Sequence, residues 1–388
     1  MFRLPVATVL VLWVLSLPGR AQDSDIIPVL QVFQTPKNSF SASLKYSGRL
    51  RASFGNLGTV NSVRDIGDVG SEYLRTYDDG SVGIDTRVTD GGTDLFDDGR
   101  TNTWNYAYAS QVTPDEQGIA FHTYSSISEG ATAEADSGMS VGIDLEYART
   151  LGSFGKRDRY REGVFTWGAL AGVTLSGVNA ETRDTITATL RTVTDTYSLF
   201  GATPPAPGYS APSSSTQTVA NPDGTSGSVF VDTTTFLANR PDSRTETTEA
   251  GGAQVDGTWQ VRGAFYNLRA GPWLRWQPQP RLSVRLSAGG SIAWMGTTLR
   301  YNERLVATDF EVIDAISEMG ESESKTSFVA GLFGTVDCEW WMSRRTALFA
   351  SVSYERYSQA QDLAISGRTA RVELSSGPAV RFGITTRF

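Results

Sequence analysis

The chain has 388 residues, with 34 lysines and arginines against 42 aspartates and glutamates, and a formal net charge of -8 at pH 7. This acidic balance argues against a general nucleic-acid-binding protein. The single cysteine, Cys338, excludes an intrachain disulfide framework. A mean hydropathy of -0.23 still permits a membrane protein whose strands place only alternate residues against lipid.

The first residues have the order of a secretory signal: Arg3, an apolar run at 4–17, and a small-x-small site at 19–21. We therefore predict a signal peptide at 1–21, a periplasmic lead-in at 22–38, and one folded domain at 39–388. No cysteine directly follows the signal, which excludes a lipid anchor of the bacterial lipoprotein type. No later stretch approaches about 18 consecutive apolar residues, so no further transmembrane helix is expected.

Eight long segments alternate apolar with polar or small residues, which is the period of a β-strand. They lie at residues 40–54, 139–151, 165–177, 255–276, 281–294, 327–342, 346–357 and 371–388. Each has one apolar face and one polar face, as expected when one face contacts lipid and the other lines a polar interior. In the fourth segment the phase slips at 263–265, which predicts a β-bulge.

The connections between these segments alternate between long and short. If the amino end is periplasmic, the long loops at 55–138, 178–254, 295–326 and 358–370 fall outside, and the turns at 152–164, 277–280 and 343–345 fall inside. Transmembrane barrels show this asymmetry, and closure leaves no unpaired strand edge in hydrocarbon. We predict an all-β fold, a closed antiparallel transmembrane β-barrel of eight strands with long extracellular loops.

The long loops contain two further patterns, of which the first bears on the strand count. Residues 101–112 and 118–126 predict a hairpin; if it crosses the membrane the barrel has ten strands, and if it stands above the membrane the count stays at eight. In the loop at 178–254, the alternation at 185–197 predicts that the strands continue as a hairpin above the membrane. The Thr, Ser and Pro content of that loop favours flexible surface display.

The closing segment alternates to the last residue, with Val380, Phe382, Ile384 and Phe388 on its apolar face. A long amphipathic final strand that ends in phenylalanine resembles the carboxyl-terminal signature of bacterial outer membrane barrels. The resemblance implies that Phe382, Ile384 and Phe388 form a membrane-insertion signal for the barrel-insertion machinery. It also implies residence in the outer membrane of a Gram-negative bacterium, in contact with outer membrane lipid.

Charged residues of both signs occupy predicted inward positions. The predicted lumen charges are Lys45, Arg49, Arg51, Asp144, Glu146, Arg269, Arg285, Asp337, Glu339, Glu355, Glu373 and Arg381. Mixed signs favour a salt-bridged core over an ion-selective constriction, because buried charges must be paired. Such an interior resembles the small structural barrels typified by the transmembrane domain of outer membrane protein A.

Aromatic residues near the strand ends predict girdles at the membrane surfaces, with a sugar-binding slide as the alternative. The girdle residues are Trp167, Trp276, Trp294, Trp340, Trp341 and Tyr354.

Catalytic chemistry has little support in the sequence. His122 is the only histidine, and its spacing to Ser125 and Ser126 matches no phospholipase-like motif, while an omptin-like acidic site cannot be discriminated by composition. The acidic glycine-rich stretch at 77–99 does not follow the EF-hand spacing, so a solvated turn cluster is favoured over calcium. We predict no catalytic residues, no metal, no cofactor and no enzyme activity.

The predicted role is structural or surface-interacting, through the extracellular loops, in a monomer that binds no nucleic acid; the extracellular ligand is not identified by the sequence. The alternatives are a narrow porin or small-solute channel and, third, an outer membrane hydrolase. A secreted, water-soluble β-sandwich is the rival at the level of fold.

Overall fold

The long strands coincide with the segments in which apolar residues alternate with polar or small ones, because an extended backbone places successive side chains on opposite faces. The computed structural model describes residues 36–48, 50–88, 97–154, 164–220, 225–307, 316–358, 360–374 and 376–388. The predicted signal peptide at 1–21, and the lead-in up to residue 35, lie outside the described residues. Among the described residues, no helix is long and apolar enough to span a bilayer.

The described part of the chain contains 21 strands and one short 3-10 helix, Ala109–Gln111. The first seven strands are β1 (Asn38–Ser47), β2 (Arg51–Leu57), β3 (Arg75–Thr76), β4 (Gly80–Val82), β5 (Arg100–Thr101), β6 (Trp104–Tyr106) and β7 (Gly118–Ile127). The next seven are β8 (Ala131–Asp136), β9 (Ser140–Phe154), β10 (Val164–Ser198), β11 (Ser214–Ala220), β12 (Ser226–Asp232), β13 (Leu237–Ala238) and β14 (Ser243–Gln279). The last seven are β15 (Leu282–Ala307), β16 (Ser317–Glu321), β17 (Lys325–Trp341), β18 (Thr346–Tyr357), β19 (Ala360–Ile365), β20 (Arg368–Glu373) and β21 (Gly377–Arg387).

Eight of these strands form a ring of antiparallel pairings. The order is β1–β9–β10–β14–β15–β17–β18–β21, and β21 pairs back to β1 from Ser39↔Arg387 to Ser47↔Ala379. The all-β class and the eight ring strands are thus confirmed. Within the described residues, the named strands that β7 and β16 pair with are β10 and β15, at their far ends. The alternative of ten ring strands is therefore wrong.

The first and last predicted strands are each divided in two. The segment at 40–54 splits into β1, in the ring, and β2, outside it; the segment at 371–388 likewise splits into β20 and β21. β2 and β20 instead pair with each other and with β8 and β19, in the order β19–β20–β2–β8. This four-stranded sheet, here called the outer sheet, lies at the end of the ring that bears the long connections, here called the outer end.

The loop predicted at 178–254 is largely strand. β10 runs to Ser198 and β14 begins at Ser243, and the two pair from Thr196↔Ser243 to Val164↔Gln277. The predicted continuation of the strands as a hairpin is therefore confirmed. The bulge predicted at 263–265 is wrong, since β14 pairs without a register shift across that region.

The apparent slip in phase has another cause. Along the continuous strand β14, the apolar side chains change from the inward face to the outward face. From Ala253 to Arg275 the odd-numbered residues of β14 face inward, apart from the exposed Gly263. They are apolar towards the outer end, where Trp259, Val261 and Phe265 are buried, and polar below, where Asn267 and Arg269 are buried. The outward face changes in the opposite sense, so the apolar residues switch faces although the strand keeps its register.

The outer sheet covers the inner face of the extended ring strands. Its buried side chains, which include Ala52, Phe54, Leu363 and Val372, belong to one hydrophobic core with Trp259, Val261, Met295 and Leu299 of β14 and β15. Burial of apolar area stabilises such packing by roughly 25 cal/mol per Å². The outer end of the ring is filled by this core.

Beyond the outer sheet lies a further region, here called the head: β3–β7, β11–β13 and the far ends of β10 and β14. Its own hydrophobic core includes Tyr77, Trp104, Tyr106, Phe121 and Tyr197. The predicted hairpin turn is present, where the Thr113 backbone N–H donates to the Gly118 carbonyl at 3.0 Å. Its first arm contains the short 3-10 helix, and its second arm, β7, pairs with β10 from Thr189↔Ile127 to Ser198↔Gly118.

Candidate functional site

Inward side chains in the lower half of the ring form a cluster of ion pairs, here called the ionic core. Five carboxylates and six cations take part: Asp144, Glu146, Asp337, Glu339 and Glu355 with Lys45, Arg269, Arg275, Arg285, Arg381 and Arg387. All are buried except Arg387, whose side chain is 17% exposed. Alternation brings them together, since the inward positions of neighbouring strands share one face.

The centre of the ionic core joins strands that are not neighbours. Arg381 of β21 contacts Asp144 of β9 at 3.1 Å and Asp337 of β17 at 2.9 Å. Glu146 forms ion pairs with three guanidinium groups, those of Arg269 at 2.7 Å, Arg285 at 2.5 Å and Arg381 at 3.3 Å. Mutual pairing compensates the desolvation of these charges, and removal of one partner would leave the others uncompensated.

Separate contacts extend the ionic core on either side of this centre. Lys45 contacts Glu355 at 2.5 Å, and the Tyr357 hydroxyl donates to the same carboxylate at 2.8 Å. Elsewhere Arg275 contacts Glu339 at 2.9 Å, and the Arg387 guanidinium lies 3.4 Å from the centroid of the Trp341 ring. The lower interior is therefore occupied by paired side chains.

One buried ion pair lies within the outer hydrophobic core. Glu303 accepts from Arg368 at 2.8 Å and from the Trp259 indole N–H at 2.8 Å. Arg368 also contacts Glu318 at 2.8 Å and lies over the Tyr301 ring at 4.5 Å from its centroid. Since Arg368 follows the turn between β19 and β20, these contacts fasten the outer sheet to β15 and β16.

Two predicted lumen charges are outside the interior, and a third cannot be placed. Arg51 is 61% exposed and contacts Asp136 at 3.8 Å, and Glu373 is 53% exposed and contacts Arg371 at 3.2 Å. They face outward because β2 and β20 leave the ring and turn their apolar faces inward. Arg49 lies outside the described residues. Arg275 and Arg387 also fall on the inward period of their strands, and both join the ionic core.

The outward face of the ring carries two rows of aromatic side chains. The upper row, named for its nearness to the outer end, joins Tyr266, Trp294 and Phe328, with ring centroids 5.8 Å and 6.0 Å apart. The lower row joins Phe154, Phe165 and Trp276, at 5.3 Å and 6.5 Å. The predicted girdle missed Tyr266 and Phe328 of the upper row, and Phe154 and Phe165 of the lower row.

The predicted girdle residues point outward, with one exception. Trp167, Trp276, Trp294, Trp340 and Tyr354 are between 45% and 56% exposed. Trp341 is buried, and its indole N–H donates to the Ser283 hydroxyl at 2.8 Å. Its assignment to the girdle was wrong because Trp340 and Trp341 are consecutive, so only one of them can face outward.

The predicted insertion signal lies on the outward face of β21 and just beyond it. Phe382, Ile384 and Phe388 are 55%, 41% and 60% exposed. The Phe388 backbone N–H donates to the Asn38 carbonyl at 2.9 Å, so the end of the chain is paired with the start of β1. Recognition of these residues by insertion machinery stays a prediction.

His122 lies on β7 in the head, where it contacts Asp79 and Tyr124. Its Nδ1 lies 2.6 Å from the buried carboxylate of Asp79, and its ring stacks on Tyr124 at 5.9 Å between centroids. The Ser126 hydroxyl donates to the Gly58 carbonyl at 2.9 Å, so it is engaged with backbone. Within the described residues, no group of three or more His, Cys, Asp or Glu side chains is arranged to hold a metal ion.

A second buried polar cluster joins the elements of the head. The Tyr77 hydroxyl donates to Asp195 at 2.6 Å and lies 2.7 Å from the Tyr197 hydroxyl, while Arg244 contacts Asp195 at 2.6 Å. Burial raises the pKa of Tyr77 above its ordinary value and raises the pKa of Tyr197 to about 12. Both phenols therefore stay protonated and available as donors at neutral pH.

Comparisons with known proteins give only distant structural similarity. No protein-family model and no curated protein matches the chain. Similar structures include Ail, the attachment invasion locus protein of Yersinia pestis, solved with the heparin analogue sucrose octasulfate (9% identity, 91% of this chain, 99% of that chain, TM-score 0.22). A second is a Pseudomonas aeruginosa FadL homologue, with 9% identity, 91% of this chain and 90% of that chain covered, and a TM-score of 0.17. A third is the outer-membrane expressed OmpT of Vibrio cholerae, with 7% identity, 89% of this chain and 98% of that chain covered, and a TM-score of 0.12. Outer membrane proteins are the class that the closing strand resembles, and at these scores none of the three informs the function.

Proposed function

We propose that the chain is an integral outer membrane β-barrel whose eight ring strands span the bilayer. The observation that carries the proposal is the outward face of β14 between Tyr266 of the upper aromatic row and Trp276 of the lower one. On β14 this face presents Tyr266, Leu268, Ala270, Pro272, Leu274 and Trp276, without a charge. The opposite face buries the ion-paired Arg269 and Arg275. Such an arrangement would leave apolar side chains in contact with water unless the surrounding medium is lipid.

The dimensions support this assignment. The ten residue steps from Tyr266 to Trp276 span roughly 33 Å along the strand at about 3.3 Å per step. At a strand tilt of about 40° the height is about 25 Å, the usual height of the apolar band of transmembrane barrels. Aromatic girdles bound such bands where the lipid headgroups begin.

The test is refolding of urea-denatured protein with and without lipid vesicles, followed by gel electrophoresis of unheated and boiled samples. A barrel needs the vesicles or a detergent to fold, and its unheated form migrates differently from the boiled form. A protein that folds in buffer alone, with the same mobility in both samples, would instead be the water-soluble β-sandwich.

We propose further that the barrel interior is closed, which makes a structural or surface-interacting role more favourable than a narrow porin. The ionic core fills the lower interior, and the hydrophobic core under the outer sheet fills the upper part. An eight-stranded ring has an interior just wide enough for side chains. Single-channel recording in planar bilayers should give no conductance steps with demonstrably inserted protein, and stable, repeatable steps would restore the channel alternative.

The surface role is assigned to the head, because it is the part that stands clear of the proposed membrane band. The amino-terminal signal would direct export, and the final strand would engage the insertion machinery. Within one membrane the barrel is proposed to be monomeric, since every ring strand finds both of its partners inside the same chain. Deletion of Phe388 should reduce insertion in cells while leaving refolding into vesicles intact.

We propose that the protein is not an enzyme. His122, the only histidine, is engaged with Asp79 and Tyr124 rather than with a nucleophile. Lipase and protease assays on the refolded protein should give no activity above that of the His122→Ala variant. Activity that the substitution abolishes would support the hydrolase alternative.

A further inference from the structure

At the lower end of the ionic core, the cations outnumber the carboxylates. The Glu339 carboxylate contacts Arg275 at 2.9 Å. Arg285 and Arg387 each approach the same carboxylate at 3.8 Å. Arg285 also pairs with two carboxylates at the centre of the ionic core. Within the described residues, however, Glu339 is the only carboxylate in ion-pair contact with Arg275 or Arg387.

This surplus of positive charge is local, because the rest of the ionic core is balanced. Lys45 is matched by Glu355. At the centre, three guanidinium groups pair with three carboxylates: Arg269, Arg285 and Arg381 with Asp144, Glu146 and Asp337. Two arginines at the lower end therefore share the single charge of Glu339, and one positive charge has no counter-ion among the described residues.

The two arginines cannot remove this surplus themselves, since a guanidinium group in a protein does not release its proton. Each also has a donor to spare. The Nε–H groups of Arg275 and Arg387 are buried, and neither has a hydrogen-bond partner within the part of the chain that the structure describes. A buried charge or donor without a partner is costly. The pair therefore favours an acceptor that carries negative charge.

Arg275 and Arg387 are neighbours, and one of them can be reached from outside. Their guanidinium carbons lie 5.9 Å and 3.4 Å from the centroid of the same ring, that of Trp341. Arg275 is buried, whereas the Arg387 side chain is 17% exposed at the lower end of β21. An anion therefore has access from the lower end, while the hydrophobic core under the outer sheet closes the interior above.

We propose that the lower end of the ring binds one phosphate group between Arg275 and Arg387. Guanidinium groups donate short, charge-assisted hydrogen bonds to phosphate oxygens. Two sources supply this chemistry: free inorganic phosphate and, in the proposed membrane orientation, the headgroup of a phospholipid beside the lower end. The site itself requires only the folded ring, so binding measured in detergent does not depend on the ring spanning a bilayer.

The test is equilibrium dialysis of radiolabelled inorganic phosphate against the full-length protein, folded in a maltoside detergent that contains no phosphate. The wild type should bind about one phosphate per chain. Arg387→Gln should weaken binding by about tenfold or more, because a charge-assisted donor is lost. Arg275→Gln tests the same site from β14 and should have the same effect.

Arg345→Gln is the matched control. Arg345 is exposed in the turn before β18, and its carbonyl accepts from the Arg387 backbone N–H at 2.7 Å, so it lies at the same end of the ring. The phosphate affinity of this variant should equal that of the wild type. Unheated gel mobility checks that each variant keeps its folded ring.

A short-chain phosphatidylglycerol added to the micelles distinguishes the two sources. Displacement of the labelled phosphate at a lower concentration than unlabelled phosphate requires would identify the lipid headgroup as the ligand. Displacement only at an equal or higher concentration would identify the free ion. A wild type that binds no phosphate, folded Arg387→Gln and Arg275→Gln proteins that bind as tightly as the wild type, or an equal loss in Arg345→Gln would each overturn the proposal.

Discussion

Arg381 and Asp337 lie 2.9 Å apart across the interior of the ring, although β18 separates their strands. Arg381 also contacts Asp144 and Glu146 of β9. One guanidinium thus joins three carboxylates from two other strands. Arg371, ten residues earlier in the same alternating sequence, is 60% exposed and contacts only Glu373 among the described ion pairs.

Arg381→Met should therefore destabilise the protein by about 3–5 kcal/mol, because it leaves buried carboxylates uncompensated. Arg371→Met is the control, expected to change the free energy of unfolding by no more than about 0.5 kcal/mol. Urea unfolding in lipid vesicles, followed by gel mobility, measures both. Equal effects of the two substitutions would contradict the ionic core.

The proposed membrane band can be tested at Leu332 of β17. This side chain is 67% exposed and lies on the outward face below Phe328 of the upper row. Leu332→Arg should cost about 2–4 kcal/mol if this position faces the centre of the bilayer. Thr326→Arg, on the same outward face but beyond Phe328, should cost less than about 1 kcal/mol. The comparison is made by unfolding in vesicles, and a tolerated arginine at position 332 would argue for water on that face.

Phe54 tests the outer sheet, because its side chain is 1% exposed in the core beneath β2. Phe54→Ala should destabilise this region by about 3–5 kcal/mol. Limited proteolysis should then cut the outer sheet faster, while the ring keeps its gel mobility. Phe230→Ala is the control, because the Phe230 side chain is 79% exposed. It should leave the cleavage pattern unchanged.

Because burial raises the pKa of tyrosines in the head, we expect the head to lose stability at alkaline pH. Burial raises the pKa of Tyr197 to about 12, whereas an unfolded tyrosine titrates near about 10. The folded state then holds the proton more tightly, so its stabilisation is complete below about pH 10 and is lost as the pH rises towards about 12. Protease resistance of the head, measured against pH, should fall in this window and fall less in Tyr197→Phe. The same pH profile in both proteins would contradict the assignment.

The alternation of the sequence predicted the long ring strands, because a period of two marks a long strand whichever face is apolar. It also placed Lys45, Asp144, Arg285 and Glu355 on inward positions, where the structure has them. The count of eight strands followed from the eight alternating segments, and the connection lengths and the need to pair every edge agreed with it. The weak alternation at 101–112 could not exclude a transmembrane hairpin, since the sequence of a short polar segment does not show which strands it pairs with.

What the sequence by itself determined was which side chains share a face of each strand. Only the tertiary structure decided which face is inside, because that depends on what surrounds the strand at each height. Within the proposed band the apolar face of β14 turns outward, and beyond it Trp259 and Val261 turn inward under the outer sheet. At β2 and β20 the alternation continues unchanged while the chain leaves the ring, so Arg51 and Glu373 reach solvent. A period of two records the two faces of a strand, and packing against distant strands assigns them to core, lipid or water.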